Sequence, residues 1–321
     1  MKSTFESSPF HRGEQQLQHR MGVRERMEQF GRRVIRDHMP DQHRAFYQQL
    51  PFVMVGHADE GGRPWASMLL GEPGFIQSPN EKVLSIEAQP VKGDPLACSW
   101  KVGQKFGLLG IELHSRRRNR LNATVEESSE ANVVLSVDQS FGNCPKYIQN
   151  RSLQMLDGVK LPEPEVEVIQ ALDDRARDLI RNSDTFFVAS HVNTGSGEAS
   201  DGADVSHRGG RSGFVRVDED GTLVIPDYSG NNHFNTLGNF VENPRAGLLF
   251  ADFENGHLLT LTGAVEIIWD SPEAEHFAGA ERLWTFRVEE GRWLNHSLPW
   301  RWQLQEYSPF SLKTGTWQAA M

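Results

Sequence analysis

Two segments of the chain combine ligand-binding residue types with residues that let a ligand approach. The first, SHRGGRSGF at 206–214, places Arg208 and Arg211 on either side of paired glycines, just before a predicted strand. Glycines let the backbone come close to a ligand, and two guanidinium groups can clamp an anion. The alternative is an exposed hairpin turn whose arginines are solvated. No general acid or base stands out, and His207 is the best candidate because imidazole titrates near neutral pH.

The second segment, PDYSGNNHFNTLGNFVENP at 226–244, follows a predicted strand and interleaves small polar residues with Tyr228, Phe234 and Phe240. Hydroxyl and amide groups, together with the N–H groups of a helix N-terminus, bind phosphate oxygens without strong positive charge. The alternative is an ordinary capped helix start. The small polar residues are Ser229, Asn231, Asn232, Asn235, Thr236 and Asn239.

Common catalytic and nucleotide-binding motifs are missing from the sequence. GxxxxGK[ST], GxGxxG, HExxH and GxSxG do not occur, which argues against P-loop hydrolases, Rossmann domains, zincins and α/β-hydrolases. Cys98 and Cys144 lie outside any CxxC pattern, so no metal site or disulfide framework is indicated. Cys144 is expected to be buried structure rather than a nucleophile.

Composition and charge narrow the class of protein. The 321 residues are 38% hydrophobic and 24% charged, as in a globular protein with real cores, and the length suits two domains. A net charge of −10 argues against nucleic acid or an anionic membrane as a partner. Neither an N-terminal apolar leader nor an apolar run of roughly 18 residues occurs, so we expect a cytoplasmic protein.

The pattern of apolar residues changes along the chain and predicts the helices and strands that position these residues. Residues 13–50 show apolar residues at helical spacings, which predicts a helix or helix pair ending at Pro40 and a short helix capped by Asp41. From Pro51 onward, short β-prone runs alternate with Gly, Pro, Asn and Asp. A helix is predicted at about 165–182, and short β-prone runs follow it.

The two β regions are related by an internal repeat. Ser67–Ile86 aligns without gaps on Ser206–Ile225 with six identities in 20 positions. FGLLGIEL at 106–113 aligns with AGLLFADF at 246–253 in the same order. Because the matched pieces keep their order, we interpret the chain as a tandem duplication of one small β-barrel module. The alternative is two unrelated β domains with generic turn residues.

The order of these motifs resembles the FMN-binding split barrels related to pyridoxamine 5'-phosphate oxidase. In that family a strand ending in a TNY-like turn leads into a short helix, then NP, an apolar strand and a Gly-containing closing strand. IPDYSGNN, ENPRAGLLF and LTGAVEI match this order. Over about residues 10–290 the chain is similar to a long subgroup described as predicted flavin-nucleotide-binding proteins. The matching motifs are HRGE, DHMPDQHRAFYQQLPF, LHSRRRNR, QSFGNCPKYIQNR, DVSHRGGRSGF and DYSGNNHFNTLGN.

The resemblance implies a mainly β (α+β) fold with two tandem split β-barrels, an N-terminal helical segment and a connecting helix. We expect the FMN groove that such barrels form as dimers to lie within one chain here, as an intramolecular pseudo-dimer, with a homodimer as a further assembly. The predicted domains are a helical segment (1–50), a first repeat (51–160), a connecting helix (161–183) and a second repeat with the main flavin site (184–321).

The resemblance also implies roles for individual residues. The family's phosphate-binding Arg and Lys are replaced here by Asn231, Asn232 and His233. The flavin ring edge is assigned to Ser206, His207 and Arg208. The first repeat would add Arg117, Arg118 and Lys146 from across the pseudo-twofold axis, although 114–120 could also be a solvated loop. The phosphate and its surroundings are assigned to Arg211, Tyr228, Ser229, Asn232, Asn235 and Thr236.

The function implied is that of an FMN-dependent oxidoreductase that acts on a small molecule, with NAD(P)H as a candidate electron donor. The residues that contact pyridoxal phosphate in the oxidase have no match in this chain. A second hypothesis is a non-catalytic carrier or sensor that binds flavin or haem.

Overall fold

The N-terminal segment is helical. The structure is a computed structural model that describes residues 7–156, 162–195 and 197–317. The first helix begins with a capping box, in which His11 and Glu14 each bond the other's backbone N–H group. Pro40, rather than the predicted Asp41, is the N-cap of the third helix. The helices are α1 (Arg12–Arg20), α2 (Arg24–Val34) and α3 (Asp41–Gln48). The prediction of a helix pair followed by a short helix is confirmed, but the pair ends at Val34 rather than at Pro40.

The first β region forms one antiparallel sheet in the order β2-β1-β5-β6-β7-β4-β3. Side chains such as Val53, Leu108 and Leu121 point into its core and are fully buried. Burying each such side chain contributes about 1.5–3 kcal/mol. The strands are β1 (Phe52–Ala58), β2 (Pro64–Leu70), β3 (Ile76–Asn80), β4 (Val83–Ile86), β5 (Lys105–Glu112), β6 (Arg117–Ser128) and β7 (Val133–Gly142), with helix α4 (Leu96–Ser99) between β4 and β5.

The region between the two large sheets departs from the helix predicted at 165–182. The helix α5 occupies only Asp174–Asn182, whereas β9 (Glu165–Ile169) is a strand that pairs with β16 of the second sheet. The sequence EVEVI alternates with period two, which suits a strand as well as the helical spacing that we expected. Strand β8 (Asn150–Met155) pairs with β17 (Trp300–Glu306) and so joins the two halves of the chain.

The second sheet repeats the strand order of the first, β11-β10-β14-β15-β16-β13-β12. Its core is built around Phe186, Trp284 and Phe250. The strands are β10 (Thr185–Val192), β11 (Gly202–Gly209), β12 (Arg216–Val217), β13 (Leu223–Tyr228), β14 (Arg245–Ala251), β15 (Leu258–Ile268) and β16 (Ala280–Asn295), with α6 (Asn235–Glu242) after β13 and α7 (Pro272–His276) before β16.

Backbone register shows that the repeat aligns position by position. Val55 lies opposite Ser67 in the first sheet, and Val188 lies opposite Ser206 in the second. The gap-free alignment paired the same two serines. The predicted fold class, two tandem split barrels with flanking helices, is therefore confirmed. The predicted domain bounds stay predictions, and those at residues 1, 160, 161 and 321 lie outside the described residues.

The two sheets pack through equivalent glycines. A Cβ on Gly107 would lie 2.5 Å from the Cα of Asp204, and one on Gly247 would lie 2.4 Å from the Cα of Trp65. Because Gly107 and Gly247 are matched residues, the same close backbone contact is made twice about a pseudo-twofold axis. Apolar residues from both sheets, including Met54 and Val205, form one buried layer between them. Within the described ranges, none of the helices has the length and apolar character needed to cross a membrane.

Candidate functional site

A cleft with an empty volume of about 930 Å³ opens where the two repeats meet. The second repeat contributes the end of β11, the turn after β13, the first turn of α6 and the start of β16. The first repeat contributes β6 and the segment after β7. The pseudo-twofold packing thus brings together segments that are far apart in sequence.

The structure places ten of the predicted cofactor-binding residues on this cleft and two elsewhere. Arg117 points to the opposite face of β6, where it donates to the Gln42 carbonyl and lies over the Phe46 ring. Arg211 donates from Nε and Nη2 to the Thr314 carbonyl. Binding itself stays a prediction for all twelve residues. The residues on the cleft are Arg118, Lys146, Ser206, His207, Arg208, Tyr228, Ser229, Asn232, Asn235 and Thr236.

Arg118 and His207 form one of the contacts between the repeats on the cleft. Arg118 donates from Nε to the Cys144 carbonyl at 2.9 Å, and its Nη1 lies 3.3 Å from Nδ1 of His207. Burial lowers the pKa of Arg118 to about 10, so the side chain is still cationic at neutral pH. It has no carboxylate partner among the described residues. The prediction that Cys144 is buried is wrong: the residue is exposed, and the contact that it makes with Arg118 is through its backbone carbonyl.

His207 is a neutral imidazole at physiological pH. Burial, and then the charges of Arg118, Arg151 and Arg208, lower its pKa well below the usual value. Because an arginine can only donate, Nδ1 of His207 accepts and the ring proton lies on Nε2. Nε2 is buried and has no partner among the described residues. His207 is therefore arranged as a hydrogen-bond donor, and its predicted catalytic role remains untested.

A second buried network is centred on Arg120. Its Nη1 donates to Asp204 at 2.9 Å and to the Asn235 side chain at 3.0 Å, and its Nη2 donates to Ser206. Ser206 in turn lies 2.9 Å from the Thr236 hydroxyl. Burial raises the pKa of Asp204, and the charge of Arg120 opposes that rise. Arg120 thus fixes the end of β11 against the start of α6.

Helix α1 contacts this network through Glu14. The amide of Asn235 donates to Glu14 Oε1 at 2.5 Å, and Glu14 Oε2 accepts from the His11 N–H group. Burial raises the pKa of Glu14 to about 8. Helix α1 crosses α6 at two glycines, Gly13 and Gly238. A Cβ on Gly238 would lie 2.7 Å from the backbone nitrogen of Glu14. The position of α6 is therefore set by α1.

On the other wall, Asp227 joins two arginines. Its carboxylate accepts from Arg208 at 2.6 Å and from Arg282 at 2.9 Å. In total, five cationic and two carboxylate side chains line the cleft. Lys146, like Arg118, makes no ion pair with a carboxylate in the described ranges, and its Nζ lies 5.2 Å from the centre of the Phe310 ring. The cleft therefore carries an excess of positive charge.

The first turn of α6 faces the same cleft. Its N-cap, Phe234, has φ of 64° and gives no side-chain cap. The helix dipole and uncapped N–H groups of such a turn favour an anion. Asn232 and Tyr147, also on the cleft, have φ values of 61° and 65°. Left-handed backbone in non-glycine residues is costly and is concentrated at functional sites.

Several buried polar atoms of the cleft are left without a partner among the described residues. A buried donor or acceptor that is not bonded costs about 1–3 kcal/mol, so such atoms indicate that a ligand or water completes the site. They are Arg120 Nε, Asn143 Oδ1, His207 Nε2, Arg208 Nε and Tyr228 Oη.

The equivalent place in the first repeat lacks these features. Leu258 and Thr260 of β15 occupy the register positions that Arg118 and Arg120 hold in β6. Ser67, the counterpart of Ser206, donates to buried Asp94 at 2.5 Å. Helix α4 has four residues where α6 has eight. The duplication therefore produced one cationic cleft rather than two.

Sequence reasoning left out several residues of the cleft. Arg120 lies in the motif LHSRRRNR but was not assigned to the site, and alternation along β6 could have placed it beside Arg118. Asp227 lies in the motif IPDYSGNN but was given no role, and Arg282 lies outside every motif. Strand pairing between β13 and β16 brings these two residues together. Only the sheet topology reveals that pair.

Comparisons with known proteins find a family match in the second half of the chain. Residues 172–295 match the family model described as pyridoxamine 5'-phosphate oxidase. No curated protein matches the sequence. Solved structures with some similarity include a Clostridium acetobutylicum protein related to general stress protein 26, of the pyridoxinephosphate oxidase family (15% identity, 40% of this chain and 92% of that chain, TM-score 0.28).

Two further structures carry ligand names. One is the FAD binding protein from Mycobacterium smegmatis (14% identity, 40% of this chain and 99% of that chain, TM-score 0.27). The other is HutZ, the haem storage protein from Vibrio cholerae (14% identity, 39% of this chain and 95% of that chain, TM-score 0.26). The matched residues 172–295 contain all strands of the second sheet from β10 to β16 and most of the cleft. Residues 172–295 therefore form a domain of the pyridoxamine 5'-phosphate oxidase family.

Proposed function

We propose that the cleft between the repeats binds FMN and that the protein is an FMN-dependent oxidoreductase acting on a small molecule. The observation that carries this proposal is the set of buried polar atoms that have no hydrogen-bond partner among the described residues. They lie next to Arg118 and Lys146, which make no ion pair with a described carboxylate. Such a site is costly when only protein surrounds it and is satisfied by an anionic ligand rich in acceptors. The family match of residues 172–295 supports a flavin as that ligand.

The phosphate is assigned to the uncapped start of α6. Thr236, Ser229 and Asn232 supply hydroxyl and amide groups there, and Arg118 and Lys146 supply charge from the first repeat. The helix N-terminus adds about 0.3–1 kcal/mol for a nearby anion. A dianionic phosphate thus balances the excess positive charge of the cleft.

The edge of the flavin ring is assigned to the end of β11. FMN, when bound, supplies the electron transfer, and the protein supplies binding, orientation and access. His207 offers a neutral Nε2–H donor that Arg118 holds in one tautomer. Because His207 is not protonated at neutral pH, it orients a ligand acceptor rather than delivering a proton from a cationic ring.

Absorbance spectroscopy of the purified protein tests this proposal. Titration of flavin-free protein with FMN should give a bound flavin band at about 450 nm, and anaerobic NAD(P)H should bleach it. Absence of any FMN affinity would contradict the proposal. If dithionite reduces the bound FMN but NAD(P)H and other biological donors do not, the carrier or sensor function is favoured. If haemin added in place of FMN gives a Soret band, haem binding is favoured.

A further inference from the structure

A second pocket lies away from the cleft, beside the hairpin between β14 and β15. Its empty volume is about 880 Å³. Its walls are formed by α5, the start of β10 and that hairpin. Strands β8 and β16 each contribute one residue, Arg151 and Trp293. Nothing in the proposed flavin function uses this pocket. Its lining residues include Arg151, Arg175, Asp178, Asp184, Thr185 and Trp293.

Three buried side chains on this pocket have an atom without a hydrogen-bond partner among the described residues. These atoms are Nη1 of Arg151, Oγ1 of Thr185 and Nε1 of Trp293. The three side chains belong to residues that are 7%, 2% and 1% exposed. Buried donors are normally satisfied, and three unsatisfied ones on a single pocket indicate a ligand that brings acceptors.

Arg151 shows how such a donor is held in place. Its Nη2 donates to both carboxylate oxygens of Asp184, at 2.8 and 2.7 Å, and its guanidinium lies 4.4 Å from the centre of the Phe253 ring. The ion pair neutralises the charge of Arg151, and Nη1 has no hydrogen-bond partner within the ranges that the structure describes. Trp293 is held in a similar way, since the guanidinium of Arg175 lies 3.8 Å from its ring centre.

The charge of the pocket differs from that of the cleft. Four carboxylates, Asp178, Asp184, Asp252 and Glu254, and only two arginines line it. Asp178 and Glu254 have no side-chain partner in the part of the chain that the structure describes. A phosphate or another dianion is therefore disfavoured, whereas a ligand that also carries an amine is favoured by the carboxylates.

We propose that this pocket binds a free amino acid or a similar small ammonium carboxylate. The ligand carboxylate accepts from Arg151 and Trp293, with Thr185 beside them. The ammonium group is balanced by Asp178 and Glu254. This inference is independent of flavin binding, because it uses no residue of the cleft.

The test is binding of each of the twenty standard amino acids to the whole protein, followed by thermal unfolding and ligand-observed NMR. Propionate and ethylamine, which carry only the acid or only the amine, are the matched control ligands. We expect at least one amino acid to raise the unfolding temperature and to bind more tightly than either control. An absence of binding by all twenty, or equally tight binding of propionate or ethylamine, would overturn the proposal.

Two conservative variants locate the site. Thr185→Val replaces a hydroxyl by a methyl group of similar shape, and Trp293→Phe removes the indole N–H together with part of a buried ring. Each variant loses one proposed ligand contact and should weaken amino-acid affinity about tenfold. Arg118→Gln, in the cleft, should leave that affinity unchanged. Unchanged affinity in both pocket variants, or its loss in Arg118→Gln, would assign the ligand elsewhere. Thr185→Val keeps the test available if Trp293→Phe does not fold.

Discussion

Arg118 Nη1 and His207 Nδ1 lie 3.3 Å apart, although the two residues are 89 positions apart in the sequence and belong to different repeats. This contact fixes the tautomer of His207 and holds at the cleft a cation that has no carboxylate partner in the described part of the chain. It also gives the repeats unequal roles, because the first repeat supplies a side chain that orients a group of the second.

Arg118→Gln should therefore weaken FMN affinity about tenfold or more, since hydrogen bonds to a charged group are worth about 1.5–3 kcal/mol. Loss of the neighbouring charge should also raise the pKa of His207. Flavin fluorescence titration measures the affinity, and an NMR pH titration of the imidazole measures the pKa. Arg117→Gln is the matched control and should change affinity less than about twofold, because Arg117 points away from the cleft. Equal losses in the two variants would contradict the assignment.

The number of flavin sites follows from the unequal repeats. Since Leu258 and Thr260 replace the two cleft arginines and Asp94 lies buried beside Ser67, we expect one FMN for each chain. Calorimetric titration of flavin-free protein should give a stoichiometry of one. Two equivalents of equal affinity would show that the first repeat retains a working site.

The crossing of α1 and α6 makes Gly238 sensitive to substitution. Gly238→Ala should lower the free energy of unfolding by about 1–3 kcal/mol, because a new methyl group meets the backbone of α1 and cannot be accommodated by a side-chain rotation. FMN affinity should fall with it, since the helix that faces the cleft must move. Urea denaturation measures the stability. Gly142→Ala, whose nearest contact is at 3.8 Å, should stay within about 0.5 kcal/mol of the wild type.

Glu14 links stability to pH. Its pKa is raised from 4.5 to about 8 in the folded protein, so between these pH values the folded state holds a proton that the unfolded state releases. Its contribution to stability is therefore greatest below about pH 4.5 and is lost as the pH rises toward 8, with a slope of at most about 1.4 kcal/mol per pH unit.

Glu14→Gln should remove this part of the pH dependence. Denaturation curves collected from pH 5 to 8 should show a smaller decrease in the free energy of unfolding for the variant than for the wild type. The comparison depends on slopes, so a constant offset caused by the new amide does not affect it. Parallel profiles would show that Glu14 titrates normally.

Sequence patterns predicted the fold well because its signals are local or repeated. Short β-prone runs with turn residues identified the strands, and the match of Ser67 to Ser206 identified two copies of one module. The segment 165–169 was assigned wrongly because its apolar residues fit both periods, and its pairing with β16 is a tertiary interaction.

The candidate site was predicted only in part, for a related reason. Arg208 and Arg211 are equally plausible anion ligands by spacing, but Arg208 lies on β11 while Arg211 lies in the turn and reaches Thr314. No sequence pattern predicts that the backbone carbonyl of Thr314 accepts hydrogen bonds from Arg211. The link from Glu14 through Asn235 to Arg120 joins three distant segments and is likewise invisible without the packed structure.

The β8–β17 pairing and the apolar layer between the sheets hold both walls of the cleft within a single polypeptide. When a site of this kind is shared by two separate subunits, dilution separates its halves and the ligand is lost with them. Here the second wall is always present at the high effective concentration that a covalent link provides. Ligand affinity should therefore be the same in dilute and in concentrated protein, and each wall is free to change without preserving symmetry in the other.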